Sequence, residues 1–168
     1  MRIFNSILGI FFICTIPVFS QSNLEAIEQA AQGLSLRAIG PANMGGRIAD
    51  IAVNPQNKSE WYIAVGSGGV WKSGNAGITW HPVFDDQSVY SIGCITIDPN
   101  NPNIVWVGTG ENVSGRHVGW GDGIYKSMDG GQSWTNMGLD GTDHIGKILV
   151  DPRQSNTIFV AAEGPLWS

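Results

Sequence analysis

One sequence motif recurs three times and limits what this chain can fold into. It has apolar residues at three equivalent places followed by Asn-Pro or Asp-Pro, and it occurs at 48–55, 92–99 and 145–152. Such apolar patterns are typical of strands with a buried face, and Asn-Pro or Asp-Pro favours a turn. The prolines are spaced by 44 and 53 residues, so the chain is built from repeats of supersecondary size.

Each repeat also contains a second strand pattern, found at 60–66, 102–109 and 157–162. The first two repeats continue into a Gly-containing hairpin that supplies a third and a fourth strand. Four short antiparallel strands form one blade of a β-propeller, and propeller repeats are roughly 40–50 residues long. We therefore predict an all-β fold of propeller blades at about 46–84, 91–138 and 144–168.

The third repeat reaches Ser168 inside its expected third strand, so about two and a half blades are present. A closed propeller needs about four to eight blades. We expect the chain to be the first part of a longer protein whose remaining blades complete the ring, with self-assembly of copies as the alternative. Residues 34–39 alternate apolar and polar side chains and would form the outer strand that closes the circle.

The hairpins of the first two repeats share the pattern Ser-x-Asp/Asn-x-Gly-x-Ser/Thr-Trp. Its members are Ser127, Asp129, Gly131, Ser133 and Trp134 in the second repeat, and Ser73, Asn75, Gly77, Thr79 and Trp80 in the first. An Asp or Asn oxygen here can accept hydrogen bonds from turn amides, and the glycine allows a positive φ. The tryptophan can bury a large flat surface between sheets. These roles are structural, and we assign none of these residues to catalysis.

This pattern is the Asp-box, and from Ile39 to Ser168 the chain resembles sortilin-like (VPS10-type) Asp-box β-propellers. The resemblance implies a secreted scaffold that binds a peptide, a protein or a glycan. Many chains of this kind carry glycosyl hydrolase labels, so a carbohydrate-active enzyme is the alternative. A purely structural module of a larger surface protein is the third interpretation.

Sialidases resemble this chain in the Asp-box but make demands that it does not meet. They need three arginines around a carboxylate and a Tyr/Glu nucleophile pair. After the predicted leader, the arginines are Arg37, Arg47, Arg116 and Arg153. Because Arg153 lies beside a turn between first and second strands, on the Asp-box face, a sialidase triad cannot be assembled from these residues alone. In a sialidase-like enzyme, further blades beyond Ser168 would have to supply its other members.

Xyloglucanase-like enzymes are similar in the first blade, where a catalytic Asp lies just before a Gly-Gly-aliphatic-aromatic run. The corresponding run is 68–71, and the Asp position falls at Gly66. Inverting hydrolysis needs two carboxylates that face each other across the substrate. Glu111 in the second repeat is the obvious substitute, and we assign no catalytic residue.

A four-stranded blade has two different faces. The Asp-box turns share one face with the turns between first and second strands, whereas the longer loops lie on the opposite face, where binding residues concentrate. The second repeat has a long loop at 110–122, and the first has only two residues at that place. We predict a ligand-binding face formed by Arg47, Glu111, Arg116, His117, Trp120, Asp122, Asp143 and His144. The alternative is a loop that only covers the mouth of the central tunnel.

The N-terminal residues predict a leader. Arg2 precedes an apolar run at 7–19, which is short for a membrane span and typical of a signal peptide. We predict a signal peptide at 1–20, a short helical segment at 21–33, and no membrane span in the mature chain. The location is then secreted, periplasmic or cell surface, with an uncleaved anchor as the alternative.

Composition excludes other classes of function. The net charge is −5, whereas a nucleic-acid-binding protein needs a basic face. His81, His117 and His144 are not spaced like metal ligands, so we predict neither a metal nor a cofactor. Once the leader is removed, Cys94 is the sole cysteine, and its strand position predicts a buried side chain.

Overall fold

The structure, a computed structural model, describes residues 46–165 apart from 114, 116 and 117, together with Ile27 and Gln29. Ile27 and Gln29 are helical. The predicted signal peptide, the rest of the 21–33 segment and the predicted strand at 34–39 lie outside these residues. The chain divides into two compact units after Arg37, and the second unit is described below. Among the described residues, no helix has the length and hydropathy needed to cross a membrane.

In the described part of the second unit, ten antiparallel strands form three separate sheets. Blade 1 contains β1 (Ile48–Val53), β2 (Trp61–Val65), β3 (Gly69–Ser73) and β4 (His81–Pro82). Blade 2 contains β5 (Ile92–Ile97), β6 (Val105–Thr109), β7 (Ile124–Ser127) and β8 (Thr135–Asn136). Blade 3 has β9 (Ile145–Val150) paired with β10 (Ile158–Ala162). The two complete sheets have their strands in sequence order, which confirms the all-β prediction of four-stranded propeller blades.

The innermost strand of every blade contains a β-bulge at the same place. The register shifts between Ile48 and Asp50 in β1 and between Ile92 and Cys94 in β5. In β9 the shift skips Gly146. Gly93, at the equivalent place in β5, has no room for a side chain, because a Cβ would collide with the carbonyl oxygens of Ile145 and Gly110. The repeated bulge thus brings neighbouring inner strands into close backbone contact.

An apolar core fills the space between blades 1 and 2. Its members include Tyr62, Val70, Phe84, Ile92, Ile95, Val105, Val107 and Tyr125. Phe84 is 2% exposed and stands edge-on to Tyr125 and Trp134, with ring centroids 5.1 and 5.2 Å apart. Since Phe84 comes from the segment after β4, the aromatic contacts join the end of blade 1 to the outer half of blade 2.

A second core lies between blades 2 and 3. Cys94, Trp106, Ile124, Ile145 and Ile148 form it. Burial raises the pKa of the Cys94 thiol to about 12, so this cysteine is an unreactive part of the core.

The outer surfaces of the first and third sheets carry exposed apolar side chains. On β1 these are Ile48, Ile51 and Val53, and on the third sheet they are Leu149 and Phe159. In contrast, the faces that the sheets turn toward each other are buried, so each end of the arc presents the kind of surface that another blade covers elsewhere in the molecule.

The β7–β8 turn is held together by its own polar side chains. Asp129 Oδ1 accepts hydrogen bonds from the amides of Gln132 and Ser133, both at 2.9 Å, and from Ser127 Oγ at 2.7 Å. Ser127 Oγ accepts in turn from the amide of Gly131 at 2.8 Å. Gly131 has a φ of 88°, a conformation that favours glycine.

The β3–β4 turn has the same geometry with a neutral side chain. Asn75 Oδ1 accepts from the Thr79 amide at 2.9 Å, and Asn75 Nδ2 donates to Thr79 Oγ1 at 2.9 Å. Ser73 Oγ accepts from the amide of Gly77, which has a φ of 85°. The amide oxygen of Asn75 therefore replaces a carboxylate oxygen of Asp129 as the acceptor for the Thr79 amide. The Ile78 amide differs, since it donates to the main-chain carbonyl of Asn75 at 3.4 Å.

The β7–β8 turn also accepts hydrogen bonds from blade 1. The carbonyl oxygen of Gly130 accepts hydrogen bonds from Tyr62 OH and Lys72 Nζ, both at 2.9 Å. Burial raises the pKa of Tyr62 far above its usual range, so its hydroxyl remains a donor. Trp134 Nε1 donates to the carbonyl of Val83 at 2.6 Å. Three donors thus tie the two blades together around one turn.

We expect Asp129→Asn to weaken the dependence of stability on acid pH. Hydrogen bonds from Ser133 and Ser127 lower the pKa of Asp129 to about 2, below the unfolded value of about 3.9. Because the folded pKa is depressed, the ionised carboxylate stabilises the fold above about pH 4, and this contribution is lost as the pH falls through about 2. Urea midpoints measured from pH 6 to about pH 2 should therefore fall less steeply in the variant than in the wild type.

Asn75→Asp is the matched control, since it installs the same carboxylate in the blade 1 turn. It should steepen the pH dependence. Equal slopes in wild type, Asp129→Asn and Asn75→Asp would contradict the role that the hydrogen bonds give to the carboxylate.

Candidate functional site

The two faces of the arc differ in the length of their loops. On one face, each hairpin turn contacts the turn between first and second strands of its own blade, through Ala76 N to Ser59 O at 2.8 Å and Gly130 N to Asn103 O at 2.9 Å. The opposite face, called the loop face below, carries the 110–122 loop of blade 2 and the segments that connect one blade to the next. This arrangement is the one that the strand order dictates.

Trp120 stands on the loop face between two anchored glycines. The Gly119 carbonyl accepts from Ser91 Oγ at 2.8 Å and from the amide of Glu111 at 3.3 Å. The Gly121 amide donates to the carbonyl of Asp143 at 2.8 Å. A Cβ at Gly119 would lie 2.8 Å from Ser91 Oγ, and one at Gly121 would collide with backbone atoms of 109–110. Both glycines therefore permit close backbone packing.

The indole of Trp120 is 73% exposed, although its backbone is fixed on both sides. A large aromatic side chain that is held at its backbone and left open to solvent has a flat apolar face that can stack against another flat surface. Because the backbone is already ordered, binding a ligand there costs little conformational entropy.

Glu111 lies inside the protein and forms an ion pair with Arg47. Arg47 Nε and Nη2 contact the two carboxylate oxygens at 2.5 and 2.6 Å. The Glu111 side chain is 1% exposed, whereas that of Arg47 is 55% exposed. The hydrogen bond to Glu111 raises the pKa of Arg47, which stays cationic. The sequence suggested an accessible acid at 111, and the structure instead gives a buried carboxylate with both oxygens occupied.

This ion pair also explains Gly66. A side chain at residue 66 would collide with the Glu111 carboxyl group. The acid that xyloglucanase-like enzymes are expected to carry at this place has no room here, because the carboxylate of Glu111 approaches from blade 2. The remaining guanidinium surface of Arg47 faces solvent.

Each blade has an equivalent backbone hydrogen bond, from the residue that follows its second strand to the residue that precedes its first strand. Gly66 N donates to Arg47 O at 2.8 Å, Gly110 N donates to Ser91 O at 2.8 Å, and Glu163 N donates to His144 O at 2.9 Å. Glu163 therefore occupies in blade 3 the position that Gly66 occupies in blade 1.

Glu163 is exposed and lies above Gly146, where a Cβ would collide with its carboxylate. From the described residues, its carboxylate receives neither an ion pair nor a hydrogen bond. Sequence reasoning missed this carboxylate. Aligning the second strands by their last residues, Val65, Thr109 and Ala162, would have placed it at the Gly66 position.

His144 occupies the blade 3 position that Arg47 and Ser91 occupy in blades 1 and 2. Its side chain is 1% exposed, and Nδ1 has no hydrogen-bond partner among the described residues. It is thus part of the wall of the loop face rather than an exposed ligand contact.

The other predicted residues have mixed placements. Asp122 accepts from Ser88 Oγ at 2.6 Å and from Tyr125 OH at 2.8 Å, so it ties the loop to the blade connection. Asp143 contributes its main-chain carbonyl to Gly121. Arg116 and His117 lie outside the described residues. In the described part of the chain, no three His, Cys, Asp or Glu side chains come together as a metal site.

A cavity of about 370 Å³ lies on the outer flank between blade 1 and the β7–β8 turn. Its lining consists of Lys72, His81, Pro82, Val83, Asp85, Asp86, Gly130, Gly131 and Gln132. Its lining contains neither Trp, Tyr nor Phe, and His81 is its one aromatic ring.

The blades are similar to those of solved β-propeller enzymes. The GH74 enzyme of Niastella koreensis superposes with a TM-score of 0.54 at 26% sequence identity, over 67% of this chain and 16% of that enzyme. An ancestral GH74 enzyme superposes with a TM-score of 0.56 at 22% identity, over 68% of this chain and 16% of its own. No protein-family model and no curated protein matches the chain. The chain spans about a sixth of these enzymes, and the likeness confirms the incomplete β-propeller.

We expect the two partners of the buried ion pair to respond unequally to substitution. Arg47→Met leaves the Glu111 carboxylate buried and uncompensated, which is strongly destabilising. Glu111→Gln removes the buried charge and leaves an arginine that reaches water, so it should cost less. Urea denaturation should therefore rank the midpoints as wild type, then Glu111→Gln, then Arg47→Met.

The double variant Arg47→Met/Glu111→Gln is the control for coupling. It should be more stable than Arg47→Met alone, because the unpaired charge is gone. A double variant that loses the sum of the two single effects would contradict the pairing.

Proposed function

We propose that this protein is a secreted, sortilin-like Asp-box propeller that binds a glycan on its loop face without cleaving it at blades 1 and 2. The observation that carries the proposal is the contrast between an exposed aromatic side chain and a buried, paired acid on the loop face. Trp120 is exposed on a fixed backbone, while the predicted substitute acid, Glu111, is buried and neutralised by Arg47. At blades 1 and 2 a site of this kind can hold a sugar chain, but its Glu111 carboxylate is not free for hydrolysis.

Arg47 and Trp120 both belong to segments of the loop face. Glu111 connects them, since its carboxylate binds the Arg47 guanidinium and its amide donates to the carbonyl of Gly119, next to Trp120. The ring of Trp120 can stack against the apolar face of a sugar. The outward N–H groups of Arg47 are held in a fixed direction and can donate to hydroxyl or carboxylate oxygens of the same ligand.

The glycan, rather than a peptide, is the favoured ligand because of the 26% identity with the Niastella koreensis GH74 enzyme. The remaining strands of blade 3 and further blades, supplied by a longer chain, would complete the loop face around the ring. The Asp-box turns on the opposite face are structural in this proposal. The location follows from the predicted signal peptide.

Glycoside hydrolysis is the second candidate function, and the likeness to GH74 enzymes favours it. In that case the carboxylate to test is Glu163, which is exposed at the blade 3 position equivalent to Gly66. Release of reducing sugar from soluble β-glucans should then disappear in Glu163→Gln and persist in Glu111→Gln variants that remain folded. The absence of any sugar release from wild-type protein would exclude this function for the substrates assayed.

We expect Trp120→Ala to weaken glycan binding about tenfold, which corresponds to the loss of roughly 1.4 kcal/mol of stacking. Affinity electrophoresis of the full-length protein in gels containing xyloglucan, mixed-linkage glucan or arabinoxylan measures this loss. Since the indole is largely exposed, the thermal midpoint should not change.

Ile78→Ala is the matched control. Ile78 is 81% exposed and lies in the β3–β4 turn on the opposite face, so its loss should alter neither stability nor retention. Retention that is equal in wild type and Trp120→Ala, or that is reduced by Ile78→Ala, would remove the support for the loop face as the binding surface.

A further inference from the structure

Blade 2 contains a pair of hydrogen-bond donors equivalent to the pair by which blade 1 binds the β7–β8 turn of blade 2. Trp106 pairs with Thr96 and with Lys126 in the sheet, and Tyr62 pairs in the same way with Ala52 and Lys72. Trp106 and Lys126 therefore occupy in blade 2 the positions of Tyr62 and Lys72 in blade 1.

The two pairs also share their side-chain geometry. Lys72 Nζ lies 5.0 Å from the centre of the Tyr62 ring, and Lys126 Nζ lies 5.1 Å from the Trp106 ring. In each pair an aromatic side chain with a polar hydrogen stands beside an ammonium group, so both pairs present two donors to the same region of the next blade.

The difference lies in what the donors bind. In blade 1, Tyr62 OH and Lys72 Nζ both donate to the carbonyl of Gly130 in the β7–β8 turn of blade 2. In blade 2, Trp106 is 5% exposed and its Nε1 has no hydrogen-bond partner among the described residues. Within the same part of the chain, Lys126 Nζ forms neither a hydrogen bond nor an ion pair. A buried indole N–H without an acceptor is costly, so its native partner is expected to come from elsewhere.

Blade 3 is packed in the orientation that would deliver such a partner. Trp106 belongs to the core that joins blade 2 to Ile145 and Ile148 of β9, just as Tyr62 belongs to the core that joins blade 1 to blade 2. A third and a fourth strand added beside β10 would bring their hairpin turn to Trp106 and Lys126, as β7 and β8 bring theirs to Tyr62 and Lys72.

We propose that Trp106 Nε1 and Lys126 Nζ form a docking site for a main-chain carbonyl in an Asp-box hairpin turn of blade 3, supplied by chain that continues past Ser168. The partner is thus a Ser-x-Asp-x-Gly turn in the same molecule. The carbonyl that binds is the one at the position of Gly130, between the Asp and the second glycine of the turn.

Photo-crosslinking in the full-length protein tests this proposal directly. A diazirine analogue of lysine is placed at position 126, and in a second sample at position 72. After irradiation and proteolysis, mass spectrometry identifies the captured peptide. Position 72 should capture the 128–132 turn, and position 126 should capture an Asp-box turn of blade 3 within the same molecule.

Each other result at position 126 overturns the proposal, provided that position 72 captures its turn. Crosslinks between molecules would assign the site to a second copy. Crosslinks to strands β9 and β10 alone, or reaction with solvent only, would mean that no turn occupies it.

Matched lysine substitutions supply an independent measurement. Lys126→Met removes the proposed donor while keeping most of the side chain, and it should lower the urea midpoint. Lys72→Met removes the donor to Gly130 together with an ion pair to Glu60 at 3.6 Å, so it should lower the midpoint at least as much. Lys58→Met, at an exposed position in the β1–β2 turn, should leave it unchanged. A midpoint that Lys126→Met leaves as unchanged as Lys58→Met does would contradict the docking site.

Discussion

Each sheet of this molecule depends on burying one face against the next sheet. A four-stranded blade alone has two faces and too little core, so its stability comes from its neighbours. Phe84 shows how the contact is made, because it leaves the end of blade 1 and inserts between two aromatic rings of blade 2. The chain therefore forms a row of interdependent sheets, and the exposed apolar residues at both ends of the row are faces of the same kind that no other described sheet covers.

Close approach of the inner strands is the second constraint. The bulge in each innermost strand leaves backbone carbonyls within reach of the adjacent blade, and Gly93 is the clearest example. Asp50 and Lys147 extend this linkage, since their side chains form an ion pair at 2.7 Å between the inner strands of blades 1 and 3. The close approach of neighbouring blades also brings the Glu111 carboxyl group of blade 2 against Gly66 of blade 1.

Repeat length, Asn/Asp-Pro turns and the alternation of apolar residues were sufficient to predict the strands and their order. These signals are local, so a sequence reveals them directly. The burial of Glu111 was not predictable in this way, because its partner Arg47 lies 64 residues away and belongs to another blade. The choice of Trp120 as a candidate could be made from residue type. The hydrogen bonds that fix its backbone could not, because they join Gly119 to the Ser91 hydroxyl and Gly121 to the Asp143 carbonyl, which are distant in sequence.

The exposed carboxylate of Glu163 was also not predicted from the sequence. The motif next to Gly66 points to a single position in blade 1, whereas Glu163 lies at the equivalent position of blade 3. In a repeat fold, a residue can be absent from one unit and present in another at the same height of the tunnel wall. Register between strands, rather than distance from a motif, defines which positions are equivalent.

The hydrogen-bonded backbone on both sides of Trp120 allows the side chain at this position to change without changing the fold. Both flanking glycines form hydrogen bonds to the scaffold, whereas the Trp120 side chain forms none with the described residues. Position 120 is therefore a display position, at which the residue can be exchanged while the frame that carries it stays intact. A library of variants at this single codon would sample different recognition chemistries at nearly constant folding stability, which is how one architecture can serve unrelated ligands.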